Sequence, residues 1–139
     1  DFVQLFLRSG LIVSYDRGSG KRIALEADNK NPISVPITII VNENTASSAE
    51  VVAGALQDRN RGVVIGVKTF GKGSVQESIT LSNGASLETT VGKFRTPSGR
   101  FIDKKGITPD VIASERESVK RSLEILQALN AINDPVKGS

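Results

Sequence analysis

Along this chain the spacing of apolar residues changes several times, and each change marks an element. FVQLFLR is apolar at Phe2, Val3, Phe6 and Leu7 and is followed by Gly10, which predicts the end of an amphipathic helix closed by a glycine at positive φ. LIVSYDR and KRIALEA flank Gly18-Ser19-Gly20 and carry β-branched residues in partial alternation, the pattern of a hairpin. NKNPISVP breaks the pattern. The run ITIIV, Ile37 to Val41, then reads as a strand covered on both faces.

From Ser47 onward the period becomes helical, with Val51, Val52, Ala55 and Leu56 on one face as far as the polar Gln57-Asp58-Arg59-Asn60. A second apolar run, GVVIGV, comes directly after. Strand, helix and strand within about 30 residues make a βαβ unit with a parallel pair and a right-handed crossover. SITLS and ASLETTV are joined by Asn83-Gly84, a two-residue hairpin signal. Residues 115 to 130, ERESVKRSLEILQALN, predict a second amphipathic helix with Val119, Leu123, Leu126 and Leu129 on its apolar face. Residues 135 to 139 read as a loose tail after a single domain over 1 to 134.

Composition narrows the chemistry. Nothing approaches the roughly 18 consecutive apolar residues that cross a bilayer. With no Cys, the chain has no disulfide, thiolate nucleophile or thiolate metal site, and with no His it lacks the commonest metal ligand and general base. A Ser-His-Asp triad cannot be built from it. Acid/base work near neutral pH falls to a carboxylate or to a lysine held neutral by its surroundings. The net charge is +3, and KFRTPSGRFIDKK, residues 93 to 105, carries five basic residues against one Asp. With only Phe94 and Phe101 available for stacking, this segment reads as a solvated basic loop and not as a nucleic-acid site. The chain opens on Asp1 without Met, basic leader or signal-like segment, the look of a piece excised from something longer.

Ser47 stands where the apolar run gives way to a helix. Followed three residues later by Glu50, it fits a capping box, in which the hydroxyl accepts from the residue 50 N–H and the Glu reaches back. A serine at the end of a strand and the start of a helix also sits where backbone N–H groups and the helix dipole favour negative charge, the setting of a nucleophile with its oxyanion. Its neighbours two residues away, Thr45 and Ala49, are small, although G-x-S-x-G is not spelled. The partner base is sought in VKTFGKGSVQ, residues 67 to 76. Gly66 to Gly73 nearly spells a phosphate-binding loop, but Gly73 replaces the magnesium-binding hydroxyl and a β-rich segment replaces the helix. Read as catalysis, Gly71 and Gly73 let the chain bend around Lys72, and Phe70 and Val75 supply an apolar wall that favours the neutral amine. Gln76, four residues on, falls on the same strand face and orients the amine without charging it. Taken alone, Lys72 equally reads as an exposed lysine in a glycine loop.

TASSAE, ALQD, GVVIG, KTFGKGSVQ and TPSGRFIDKKGITPDV, in this order and at these separations, resemble the C-terminal processing peptidases, or tail-specific proteases, over roughly residues 1 to 130. The separations between Ser47, Lys72 and Gln76 match those of the family. The resemblance implies Ser47 as nucleophile, Lys72 as general base, Gln76 as the residue that positions the lysine, and the Ser48 N–H as an oxyanion donor. Asp58 matches an acidic position that matters in some relatives and equally reads as a polar helix end. Ala49 stands where members often carry a second Ser. The N-P-G-G stretch that supplies the other oxyanion donor, and the PDZ domain that docks a substrate tail, do not occur in these 139 residues. The implied architecture is the C-terminal part of a protease core, α/β with a mostly parallel sheet and flanking helices in a crotonase-like layout, plus a β-hairpin.

The function that this resemblance implies is that of a serine endopeptidase cleaving protein substrates near their C-terminus, with peptide tails as partners, no cofactor, no metal and no nucleic acid. The alternative is a catalytically incomplete scaffold or interaction domain of the same fold. The family implies an extracytoplasmic location, and any membrane association would come from parts outside this chain. Alone, residues 1 to 139 are expected to be close to inactive.

Overall fold

In the computed structural model, residues 2–18 and 20–133 are described. After a 3-10 turn at Phe2–Leu5 come β1 (Ser9–Asp16), β2 (Arg22–Asp28), β3 (Thr38–Val41), α1 (Ser48–Asp58), β4 (Val63–Gly66), β5 (Ser74–Thr80), β6 (Ser86–Arg95), β7 (Val111–Ile112) and α2 (Glu115–Asn133). They form two sheets, a four-stranded one ordered β2-β1-β6-β5 and a three-stranded one ordered β3-β4-β7.

The βαβ unit is present as the apolar runs predict, with β3 and β4 parallel and in register from Thr38↔Val63 to Val41↔Gly66. The larger sheet, however, is antiparallel throughout, so the expectation of a mostly parallel sheet is corrected. Parallel pairing stops at three short strands because β5 and β6 pair with each other, and β6 then joins β1 at Ser14↔Arg95 and Tyr15↔Phe94.

Local chemistry explains several boundaries. The expected helix before Gly10 ends early, at Leu5, and Gly10 lies inside β1 with φ +101, its Cα facing the Arg59 guanidinium. A bulge at Ile12 lets it and the adjacent Val13 both face the core, at 2% and 8% exposure, which is why alternation in β1 is only partial. The β5–β6 turn is longer than a two-residue one. Leu81 N–H donates to Ala85 O and Gly84 N–H to Leu81 O, with Gly84 at φ +83, the three-residue loop with a glycine in the left-handed position. Arg17, Lys21 and Gly20 repeat that hydrogen-bond pattern between β1 and β2. Ser19 and the tail 135–139 lie outside the described residues.

α1 contributes to both apolar clusters. Ala55 and Leu56 pack with Val3, Leu7, Ile12, Val13 and Ala27, while Ala53 packs with Val41 and Val64. Alternation along β3 puts Ile39 and Val41 toward α1 and Thr38 toward α2, where its hydroxyl lies 2.5 Å from that of Ser122, so the two helices cover opposite faces of the parallel sheet. The apolar face expected of α2 is covered only in its second half, where Leu126 and Leu129 are half-buried. In the first half Ser118 and Ser122 are buried, and Val119 and Leu123 are 58% and 56% exposed. Small serines let the first half of the helix approach the sheet closely, which turns Val119 and Leu123 outward. β3 is likewise uncovered in part, because it is an outer strand: Ile40 is 48% exposed.

Candidate active site

The chain leaves β3 through a turn built by Asn42 and Thr45. Asn42 Oδ1 accepts the Asn44 N–H at 3.0 Å, Thr45 Oγ1 accepts the Asn42 N–H at 3.0 Å, and Thr45 N–H returns to Asn42 O at 3.0 Å. Ser47 comes next with φ 56 and ψ −122, a conformation that non-glycine residues rarely occupy and that costs on the order of 1–3 kcal/mol. Ser47 and Glu50 stand in the capping-box relation that their spacing predicts, and Glu50 Oε2 accepts the Ser47 N–H at 3.0 Å. The strained serine has the form of a strand-to-helix elbow that presents its hydroxyl.

Lys72 arrives on the segment after β4, which is stitched down on several sides. Phe70 N–H donates to Thr45 O at 3.0 Å and Thr69 N–H to Ile107 O at 3.1 Å. Gly71 O accepts from Lys104 N–H at 2.8 Å and Gly73 O from Phe94 N–H at 2.7 Å. The glycines serve close approach: Gly71 sits at φ +92, and a Cβ on Gly73 would lie 2.2 Å from the Asp103 nitrogen. The Gly71 and Lys72 N–H groups both end on Glu50, at 2.7 and 2.8 Å. Ser47 and Lys72 thus meet through their backbones on one carboxylate.

The side chains are less closely set. Lys72 and Gln76 are exposed, and among the described residues no hydrogen bond or ion pair joins the Lys72 amine to the Ser47 hydroxyl. The apolar wall expected around the amine is half present. Val75 is buried at 9% exposure, but Phe70 is 68% exposed and turned to solvent. The register shift opposite Val75 and Gln76 skips Val91 of β6, so the alternation of β5 itself runs on unbroken through Gln76. The Ser48 N–H, the first of α1, is taken up by no hydrogen bond among the described residues.

At its far end α1 is fixed by Asp58, whose side chain is 6% exposed. It pairs with Arg100 and accepts the Ser98 N–H at 2.9 Å, and Arg100 also reaches Gln57 Oε1 at 2.9 Å. Burial works to raise the Asp58 pKa, but hydrogen bonds from Thr96 and Ser98 and the charge of Arg100 outweigh it and hold the carboxyl below the ordinary aspartate value. The basic segment 93 to 105 is less solvated than its sequence suggests. Lys93 pairs with Asp103 at 2.8 Å, and Arg95 pairs with Asp16 at 3.2 Å while stacking 3.7 Å from the Phe101 ring centroid. Sequence reading misses Thr69, which lies 5% exposed between Glu50 and Ile107 and carries no motif of its own. Among the described residues no group of three or more His, Cys, Asp or Glu side chains forms a metal site, and no helix is long and apolar enough to cross a membrane.

Comparison with known proteins gives the chain its family. Residues 1–113 match the sequence model of Peptidase family S41, and the chain belongs to that family. It is 40% identical over 112 residues to the carboxyl-terminal-processing peptidase 2, chloroplastic, of Arabidopsis thaliana, covering 79% of this chain and 22% of that protein. Against the carboxyl-terminal-processing protease of Synechocystis it is 38% identical over 115 residues, covering 83% and 27%. The solved photosystem II D1 C-terminal processing protease superposes with a TM-score of 0.76 at 35% identity, over 86% of this chain and 33% of that one. The chain spans about a quarter of the length of these curated relatives.

Proposed function

We propose that this chain is the catalytic part of a serine endopeptidase that cleaves protein substrates near their C-terminus. The observation that carries the reading is the strained Ser47 turn, tied to the backbone of Lys72 through Glu50, in a member of a peptidase family whose relatives are named for carboxyl-terminal processing. Ser47 Oγ attacks the scissile carbonyl carbon while the neutral Lys72 amine takes its proton. The oxyanion that forms is met by the Ser48 N–H at the helix start. Collapse expels the new amine, which takes a proton from the Lys72 ammonium, and water then hydrolyses the acyl-enzyme with the lysine again as base. Gln76 holds the amine in line. A substrate seated over Lys72 supplies the water exclusion that Phe70 does not. By the same family reading the partners are peptide tails and the location is extracytoplasmic.

The exposed, unengaged Lys72 amine favours a second reading, an inactive scaffold of the same fold. A fluorophosphonate probe separates the two in the full-length protein. Labelling at Ser47, lost in Ser47→Ala and strongly slowed in Lys72→Ala together with peptide turnover, is expected of the enzyme. Turnover that survives Ser47→Ala sinks the assignment, and a Ser47 that never labels supports the scaffold.

A further inference from the structure

The carboxylate of Glu50 has no part in the chemistry above, yet the segments of the site converge on it. Glu50 is 0% exposed. Its two oxygens accept four hydrogen bonds, all from neutral donors. Oε1 takes the Thr69 hydroxyl at 2.5 Å and the Gly71 N–H at 2.7 Å, and Oε2 takes the Ser47 N–H at 3.0 Å and the Lys72 N–H at 2.8 Å. An ionised carboxylate has about four lone-pair sites, so its accepting capacity is filled. Three of the donors belong to the lysine loop and one to the serine turn. Because a single atom, Oε2, accepts from both Ser47 and Lys72, it sets the separation of the two backbones. Thr69 is held in turn, since its hydroxyl oxygen accepts the Ile107 N–H at 2.7 Å.

We infer that Glu50 is the positioning residue of this site, a buried clamp that locks the serine turn to the lysine loop and decides which backbone amide faces the oxyanion. This rests on the Ser47/Lys72 reading above. The second role comes from the donor count. Ser47 and Ser48 offer adjacent N–H groups at the helix start, and the Ser47 group is already spent on Glu50, which leaves that of Ser48.

Glu50→Gln tests this at constant shape. The amide keeps one accepting oxygen and turns its NH2 toward two donors, so either the Ser47 and Lys72 contacts or the Thr69 and Gly71 contacts are lost. In the full-length protein, hydrogen exchange at the Ser47, Gly71 and Lys72 amides is expected to quicken about tenfold or more, with β4 amides unchanged. kcat is expected to fall on the order of a hundredfold with KM within about twofold, the signature of misplaced reacting groups. Native exchange rates in Glu50→Gln would overturn the clamp whatever residue proves to be the nucleophile. Retained turnover in Ser47→Ala would instead fault the catalytic assignment and leave the clamp to be judged on exchange. Should Glu50→Gln fail to fold, Thr69→Val and Thr69→Ser decide the matter. The first strips a hydroxyl from Oε1 and is expected to lower kcat about tenfold and to expose the Gly71 amide to exchange, and the second is expected to restore both. Equal behaviour of the pair would overturn the proposal.

Discussion

The two helices look alike in sequence and are held in different ways. α1 buries the apolar residues that its periodicity points to, and it is also pinned at both ends by acids, Glu50 at its first turn and Asp58 at its last, each reaching into a loop far along the chain. α2 rests on the opposite face of the parallel sheet through two serines and leaves Val119 and Leu123 in solvent. An apolar stripe therefore says that a helix can be buried, and the partner surface decides which face is. The helix that carries the site is the one whose position polar side chains also specify.

Leu56→Ala should have the largest effect on that contrast. Leu56 is 1% exposed in the main cluster, and the substitution is expected to cost about 2–5 kcal/mol in denaturant unfolding. A cost no greater than that of an α2 substitution would remove the distinction. Asp58→Asn comes next, at about 1.5–3 kcal/mol from hydrogen bonds to a charged group. Its pH dependence has a definite sign. The folded pKa is depressed, so the contribution is fully present above the ordinary aspartate value of about 3.9 and is lost as pH falls through the lower folded value. Thermal melts should show wild type and Asp58→Asn converging below about pH 4, and a gap that widens with acid would refute the assignment. Ser122→Ala, which takes away the contact to the Thr38 hydroxyl, should cost about 1 kcal/mol by the same melts. Leu123→Ser is expected to shift stability by less than about 0.5 kcal/mol, and a larger loss would mean that this side chain is covered in solution.

Legibility tracks the range of the interactions. The βαβ unit, the Asn83-Gly84 turn and the glycines around Lys72 are readable because each depends on neighbours in sequence, through period, positive φ or close approach. The two antiparallel hairpins are readable for the same reason, but their joining into one sheet is not, since β6 meets β1 across some 80 residues with only two paired positions and no local mark of it. The same holds within the site. Ser-x-x-Glu signals a cap at short range, whereas the bonds from Glu50 to Thr69, Gly71 and Lys72 depend on a loop some 20 residues on. Phe70 shows the opposite error, in which a neighbour in sequence is taken as a neighbour in space: the segment bends at Gly71, and the ring is 68% exposed.

The order of the small sheet bears on how the protein behaves at high concentration. Its outer strands, β3 and β7, are four and two residues long, and an unpaired strand edge is a template on which another chain can add. Brevity limits that hazard, and Pro36, just ahead of β3, limits it further because proline offers no N–H to an incoming strand. Replacing Pro36 by an ordinary β-former would lengthen the template beside the half-exposed Ile40 and turn a harmless margin into a seed for aggregation.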